Sequence, residues 1–283
     1  MRTVTRAMAS IVGSHDLLFV TLDTLRHDVA VELAAADRIP HLVRAMGGAV
    51  DNGTGGSWER RHTPASFTYA AHHAFFAGFL PTPVGPGPHD RLFAAAFPGS
   101  ETTGPGTWTF TEPDLVSGLA SAGYHTVCVG GVGFFNQRSA LGRVLPSLFA
   151  ESHWEPSFGV TNPSSVEAQV DRAAAVVAAL PADRRLFLFL NVSALHQPNR
   201  YYLPGAAEDC RASHAAALAY VDSHLGRLFA TMTSRGRPCF AIVCSDHGTA
   251  YGEDGLTGHR IAHETVWTVP YADFVLHPGD WTA

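Results

Sequence analysis

The feature of this sequence that most constrains its fold is the apolar run at residues 238–243, which leads directly into Asp246 and His247. A run of that length, bounded by Gly236 and Gly248, predicts a buried parallel strand. Asp246 and His247 would then emerge together at the carboxyl end of the strand, where open α/β sheets place their chemistry. A carboxylate next to an imidazole suits a divalent metal ion with mixed oxygen and nitrogen ligands, although an ordinary polar strand end would look the same.

Two other apolar runs end in a similar way. Residues 17–22 end at Asp23, and residues 186–192 lead into His196. Because the carboxyl ends of parallel strands meet at one edge of a sheet, we expect both side chains to lie at the edge that carries the first pair. Asp23 is a second candidate metal ligand. His196 is a candidate site residue, with an ordinary loop histidine as the alternative.

Residues 69–78 are rich in alanine and end in glycine, which is typical of a helix with a glycine just past its end. Thr68 falls at the predicted N-cap. A hydroxyl at this position lies among unpaired N–H groups and at the positive end of the helix dipole, which suits a nucleophile or an anion-binding group. A threonine that only caps the helix is the other interpretation.

The remaining pattern alternates strands with helices and predicts an α/β fold with a mostly parallel sheet. Residues 164–167 form a candidate capping box. Residues 60–68 and 136–163 are predicted to be irregular, and the Pro- and Gly-rich residues 81–106 are predicted to form a long ordered loop over the site. Further strands are predicted at 124–129 and 271–276, and further helices at 39–46, 115–122, 164–180 and 213–232.

Composition excludes several classes of protein. With 283 residues, of which 46% are hydrophobic, we expect a single domain over residues 1–283. A net charge of -6 with 16% charged residues offers no basic surface for nucleic acid. The sequence predicts neither a signal peptide nor a membrane span. The four cysteines lack metal-ligand spacing. Three of them lie in apolar, strand-like runs where a reduced thiol packs as a small hydrophobic group, which favours a reducing, cytoplasmic environment.

These site residues make the chain resemble the alkaline phosphatase/sulfatase superfamily, in its sulfatase-like branch. The resemblance extends over about residues 15–277. It implies a three-layer αβα sandwich with a mostly parallel, alkaline-phosphatase-like central sheet, and a chain without the C-terminal subdomain usual in relatives. The similar segments are 18–28 (first metal-binding segment), 63–81 (nucleophile helix), 191–198 (His-x-Pro substrate segment), and 220–226 with 244–270 (last conserved block).

One departure from the family pattern bears on the chemistry. Sulfatases that use formylglycine carry a Cys or Ser in a Cys-x-Pro-x-Arg motif, whereas residues 68–72 are Thr-Tyr-Ala-Ala-His. Formylglycine is therefore excluded. Thr68 followed by His72 resembles the metal-activated nucleophile of the phosphoethanolamine and glycerol-phosphate transferases and of the phosphodiesterases in the superfamily.

The resemblance implies a metal-dependent hydrolase or transferase that acts on a small-molecule phosphate ester through a covalent phosphothreonine. Asp23, Asp246, His247 and the Thr68 hydroxyl would hold a divalent ion, most simply Zn²⁺, with Mn²⁺ as the alternative. Thr68 would also be the catalytic nucleophile.

Three histidines, His196, His259 and His72, are expected to bind substrate oxygens or to complete a second, weaker metal site. The second-metal Asp-x-x-x-His spacing of some relatives is missing, because Val192 lies four residues before His196. Three alternative functions remain: a sulfate-ester hydrolase without formylglycine, a phosphomutase-type isomerase and a non-catalytic ligand-binding descendant.

Overall fold

The protein is known from a computed structural model that describes residues 8–47, 58–78, 93–95, 108–110 and 114–281. Its strands are β1 Asp16–Leu22, β2 Glu59–His62, β3 Phe93–Ala95, β4 Trp108–Phe110, β5 Tyr124–Val129, β6 Glu151–His153, β7 Arg185–Val192, β8 Cys239–Cys244, β9 Ala250–Tyr251, β10 Thr257–Gly258 and β11 Thr268–Leu276. Its α-helices are α1 His27–Ala35, α2 Pro40–Ala45, α3 Thr68–Ala77, α4 Leu115–Ser121, α5 Ala140–Val144, α6 Ser165–Ala179, α7 Arg211–Thr233 and α8 Glu264–Trp267.

The central sheet has seven strands in the order β2-β11-β8-β1-β7-β5-β6. The five strands from β8 to β6 run parallel, while β11 and β2 are added antiparallel at one edge. The central strands are continuous apolar runs because both of their faces are covered, and all seven residues of β1 are buried. Short pairs β3–β4 and β9–β10 lie outside this sheet.

Helices cover both faces of the sheet. Leu18, Val20 and Leu22 pack in a cluster with side chains of α1, α2, α6 and α7. Leu17 and Phe19, which point to the opposite face, pack in a second cluster with α3 and α4. The predicted three-layer αβα architecture with a mostly parallel sheet is therefore confirmed. No helix within the described ranges is both long and apolar enough to cross a membrane.

The structure corrects several local predictions. The side chain of Ser164 makes no capping hydrogen bond, so the predicted capping box is wrong. The stretches predicted to be irregular contain β2, α5 and β6, and α1 was not predicted at all. Most of the predicted loop at residues 81–106 lies outside the described residues, which include only β3 from it.

At the amino end of β1 a buried charge is fully paired. Asp16 is 0% exposed and its Oδ2 accepts a hydrogen bond from Arg235 Nε at 2.7 Å. Its Oδ1 accepts from the N–H of Leu186, the neighbouring strand residue, at 2.8 Å. Arg235 also donates to the carbonyl oxygen of Arg184. This ion pair joins β1 and β7 to the segment before β8.

Candidate active site

Four of the predicted site residues come together at the carboxyl edge of the sheet. Asp23 follows β1, Asp246 and His247 follow β8, and β1 and β8 are parallel neighbours. One carboxylate oxygen of each aspartate and a ring nitrogen of His247 all lie within 4.8 Å of one another. Thr68, the first residue of α3, places Oγ1 3.3 Å from Asp23 Oδ2 and 3.3 Å from His247 Nε2. All four side chains are buried.

The donor set fits a divalent cation. Asp23 Oδ1 and Asp246 Oδ2 are buried and have no hydrogen-bond partner among the described residues. Asp246 Oδ1, in contrast, accepts from the N–H groups of Thr24 at 3.2 Å and His247 at 3.0 Å. Two buried, unpaired carboxylate oxygens are costly in free energy unless a positive charge lies between them. Oxygen ligands combined with an imidazole suit Zn²⁺ or a similar ion.

His247 presents the correct nitrogen for a ligand. Its Nδ1 lies 2.9 Å from the carbonyl oxygen of Gly248 and therefore donates to it. Nε2 then keeps its lone pair on the side of Asp23 and Thr68. Burial lowers the pKa of His247, which keeps the ring neutral.

The two carboxyl groups carry the electrostatic cost of the site. Burial, together with the neighbouring charge of Asp246, raises the pKa of Asp23 to about 6. Burial raises the pKa of Asp246 to about 7. Both shifts show that the protein alone disfavours the ionised forms, and a bound cation would offset this cost.

A series of buried hydrogen bonds connects Asp23 to the start of α3. Asn191 Nδ2 donates to Asp23 Oδ2 at 3.3 Å and to Thr21 Oγ1 at 3.2 Å. The Thr21 hydroxyl pairs with His72 Nε2 at 2.9 Å, and His72 Nδ1 donates to the carbonyl oxygen of Thr68 at 2.7 Å. These hydrogen bonds fix the start of α3 relative to the end of β1. Neither Asn191 nor Thr21 was predicted to belong to the site, although each is a polar residue within an apolar run.

The structure corrects the prediction that His72 binds substrate. Its ring is 0% exposed and both ring nitrogens are already hydrogen-bonded. Burial lowers its pKa to about 3, so the ring is neutral. His72 therefore supports the site and does not line it. The described residues contain no second group of three clustered metal-ligating side chains, so the second metal site is not supported either.

The start of α3 differs by one residue from the prediction. Thr68 is the first helical residue, and the N-cap is Phe67, whose side chain cannot cap. The predicted N-cap position of Thr68 is therefore wrong. Thr68 still lies in the first turn of α3, at the end where the N–H groups of a helix point outward. The predicted glycine at the other end, Gly78, is confirmed by its left-handed φ of 81°.

His196 and His259 lie over the cluster at a cavity of about 250 Å³ that Thr68 also lines. The ring centroid of His259 is 4.7 Å from that of His247 and 5.5 Å from that of His196. His196 Nδ1 donates to the carbonyl oxygen of Gln197 at 2.6 Å, which leaves Nε2 available. Burial and the neighbouring His247 lower the pKa of His259 to about 3. Their predicted substrate contacts stay predictions.

The protein is an α/β sandwich whose covered, mostly parallel sheet carries a cluster of carboxylates, an imidazole and a hydroxyl at its carboxyl edge. A protein-family model described as Sulfatase matches residues 17–281. The chain therefore belongs to the sulfatase family, and the predicted family is confirmed. Comparison with curated protein sequences gives no significant match.

Solved structures share the fold at low sequence identity. The C-terminal periplasmic domain of phosphoethanolamine transferase EptC from Campylobacter jejuni is 14% identical, with a TM-score of 0.59, over 93% of this chain and 80% of that one. The corresponding EcEptC domain from Escherichia coli, in complex with Zn, is 13% identical, with a TM-score of 0.59, over 95% and 74%. The lipoteichoic acid synthase LtaP from Listeria monocytogenes is 15% identical, with a TM-score of 0.59, over 94% and 66%.

Proposed function

We propose that this protein is a metal-dependent transferase or hydrolase of phosphate esters in which Thr68 carries the phosphoryl group covalently. The observation that carries the proposal is the position of Thr68 Oγ1, 3.3 Å from both Asp23 Oδ2 and His247 Nε2. The fold shared with phosphoethanolamine transferases and a lipoteichoic acid synthase also supports phosphorus chemistry.

Asp23, Asp246, His247 and Thr68 would hold the cation. When bound, a divalent ion favours the ionised form of a nearby hydroxyl and stabilises negative charge on phosphoryl oxygens. Zinc is the first ion to test, because the similar EcEptC domain was solved in complex with Zn, and manganese is the alternative.

Thr68 would supply the nucleophile. Its Oγ1 gives up its proton to solvent and forms a bond to phosphorus, while the bond from phosphorus to the ester oxygen breaks and the departing alkoxide takes up a proton from solvent. In the second step the oxygen of water or of an acceptor alcohol loses its proton and bonds to phosphorus. The bond from phosphorus to Thr68 Oγ1 breaks, the phosphoryl group leaves on the attacking oxygen, and Oγ1 takes up a proton. The N–H groups at the start of α3 would donate to phosphoryl oxygens during both steps.

His196 and His259 would orient the phosphate. Both rings face the cavity. The neutral ring of His259 can donate one N–H to a phosphate oxygen, whereas His196, whose Nδ1 donates to Gln197, can donate from Nε2 only in the protonated form of its ring. Because the pKa of His259 is lowered to about 3, its ring acts as a neutral donor and not as a charged acid. Asn191 holds Asp23, and His72 holds the first turn of α3, so that Thr68 and Asp23 keep their geometry.

Sulfate-ester hydrolysis is the second candidate, since the family model is Sulfatase. Thr68 disfavours it, because a threonine is not the Cys or Ser precursor of formylglycine. A phosphomutase-type isomerase would use the same residues without releasing phosphate. A non-catalytic descendant would only bind a ligand, would retain metal weakly and would turn over none of these esters.

The test is a turnover screen on metal-stripped protein reloaded with zinc or manganese. The substrates are bis(4-nitrophenyl) phosphate, 4-nitrophenyl phosphate and 4-nitrophenyl sulfate, with released phosphate measured in parallel. We expect metal-dependent cleavage of a phosphate ester, and Thr68→Ala should lower kcat on the order of 10³-fold or more while zinc is still bound. Thr68→Ser is the matched control and should keep measurable activity. Unchanged rates in zinc-loaded Thr68→Ala, or cleavage of the sulfate alone, would contradict the proposal.

A further inference from the structure

Arg260 lines the same cavity as Thr68, His196 and His259 and has no role in the chemistry described above. The cavity becomes steadily more open from its base to its mouth. Thr68 is 2% exposed, His259 is half-buried and Arg260 is exposed. The transferred phosphoryl group belongs at the buried end beside Thr68, so Arg260 faces the part of the substrate that lies at the mouth.

The backbone holds Arg260 in an uncommon conformation. Its φ is 66°, in the left-handed region that residues other than glycine rarely adopt. Its N–H donates to the carbonyl oxygen of Ser66 at 2.9 Å, which ties it to the segment just before α3. Non-glycine residues kept in this region cluster at functional sites, where the surrounding structure enforces them.

The guanidinium group is positioned but not neutralised. It lies over the ring of Phe67, with its Cζ atom 5.4 Å from the ring centroid. Stacking engages the face of the group and leaves its N–H edges free to donate. Within the described part of the chain, no carboxylate forms an ion pair with Arg260. Other arginines at this edge of the sheet are paired, such as Arg26 with Asp28 and Glu253.

Part of the cavity wall is apolar. It is formed by Val132, Phe134, Leu141 and Val160, and Leu141 is 42% exposed. Phe134 packs on Tyr69 of α3, with ring centroids 5.6 Å apart, which fixes this wall next to Thr68. A ligand that fills the cavity therefore meets polar groups at the base, an apolar wall beside it and one free cation at the mouth.

We propose that Arg260 is a specificity-determining residue, which binds a second anionic group, carboxylate or phosphate, on the ester part of the substrate. The favoured substrate is a phosphate ester with an apolar segment next to phosphorus and an anionic group further out. This inference rests on the proposed function, because it takes the transferred phosphoryl group to lie at Thr68. A guanidinium donates two parallel hydrogen bonds to either anion.

Binding of non-hydrolysable probes to the zinc-loaded protein tests the proposal without turnover. The probes are benzylphosphonate, 4-carboxybenzylphosphonate and the para-xylylene bisphosphonate, measured by isothermal titration calorimetry. We expect wild type to bind one or both of the probes that carry a second anionic group about 3- to 10-fold more tightly than benzylphosphonate. The preference is modest because the contact is exposed to solvent. Which probe gains more identifies the anion. Arg260→Gln should remove the preference and change the Kd of benzylphosphonate by less than about twofold.

Arg61→Gln is the matched control, since Arg61 also lies over an aromatic ring, that of Tyr271 at 5.1 Å, but does not line this cavity. Its preference should equal that of wild type. A preference that survives Arg260→Gln, or wild type that shows none, would overturn the proposal. A normal preference in a protein that cleaves no phosphate ester would instead reject the proposed function and leave the role of Arg260 standing.

Discussion

The two ends of β1 each carry a buried aspartate, and the surroundings of the two carboxylates differ. Asp16, the first residue of the strand, is 0% exposed and is paired by Arg235 and by a backbone N–H group. Asp23, which follows the last residue, is equally buried but has an oxygen with no partner in the described part of the chain. Asp246 beside it has another.

This difference indicates that one end of β1 stabilises the fold and the other end binds a ligand. At the amino end the chain supplies its own cation, so the charge stabilises the fold and nothing remains for a ligand. At the carboxyl end the chain supplies two carboxylates, an imidazole and a hydroxyl, but no arginine or lysine among the described residues pairs with the two acids, and the pKa values of both are raised. Two neighbouring buried acids without a counter-charge indicate a site that binds a ligand from solution.

Removing a carboxylate at the carboxyl end should have the largest effect on activity. Asp246→Asn keeps an oxygen that can accept from the N–H of Thr24 but removes a charged ligand of the cation. We expect kcat/KM to fall about 10³-fold, or ~4 kcal/mol, with loss of bound zinc. The metal-free variant should be at least as stable as metal-free wild type in chemical denaturation, since a buried unpaired charge is gone. Lower stability of the metal-free variant would contradict the comparison.

The same substitution at the amino end should act on stability instead. Asp16→Asn leaves the Arg235 guanidinium buried without its counter-charge, and we expect the free energy of unfolding to drop by about 3 kcal/mol. Activity per folded molecule should stay at the wild-type level. Asp171→Asn, which breaks the exposed pair with Arg227, is the control and should cost less than about 1 kcal/mol. A loss of catalysis without a loss of stability in Asp16→Asn would remove the distinction between the two ends.

The stabilisation by zinc should depend on pH. The folded-state pKa values of Asp23 and Asp246, about 6 and 7, lie above the ordinary value of 3.8, so the fold favours their protonated forms. This contribution to stability is fully present below pH 3.8 and is lost as the pH rises through 6 to 7. Metal-free protein therefore carries the whole cost of the two charges at pH 7.5, where zinc no longer competes with protons.

Thermal unfolding with and without zinc at pH 7.5 and pH 5 measures this effect. At 100 times its Kd the ion should stabilise the fold by about 2.7 kcal/mol at pH 7.5, and the same zinc concentration should stabilise it less at pH 5. An equal shift in Tm at both pH values would show that zinc binds elsewhere.

The same contrast shows what the sequence could predict. Central strands such as β8 were predictable because a buried parallel strand is a nearly continuous apolar run. Asp23, Asp246 and His247 were predictable because they directly follow such runs. Strand β2 was missed because its residues, Glu59–His62, are charged or polar and mostly exposed at the sheet edge, so they carry no apolar pattern. The residues of β6 are all only half-buried at the opposite edge.

The hydrogen bonds that hold the site residues in place could not be predicted from the sequence, for another reason. Thr21 and Asn191 are 170 residues apart and meet only because β1 and β7 pair in a register that places them side by side. The role of His72 depends on that contact, because its Nε2 pairs with Thr21. Spacing along the chain identified His72 as a site residue but could not show which way its ring faces.

The most direct test of the central claim is a search for phosphate on Thr68. Zinc-loaded protein would be mixed with bis(4-nitrophenyl) phosphate, quenched in acid during steady turnover, digested and analysed by mass spectrometry. The predicted result is a peptide whose Thr68 carries a 4-nitrophenylphosphoryl group, the part of the substrate that is left after one 4-nitrophenolate departs. This adduct should form and be lost at rates that match turnover and should be absent from Thr68→Ala. Steady turnover with no phosphoryl adduct on Thr68 at any quench time, and with Thr68→Ala equally active, would contradict the assignment of Thr68 as the nucleophile.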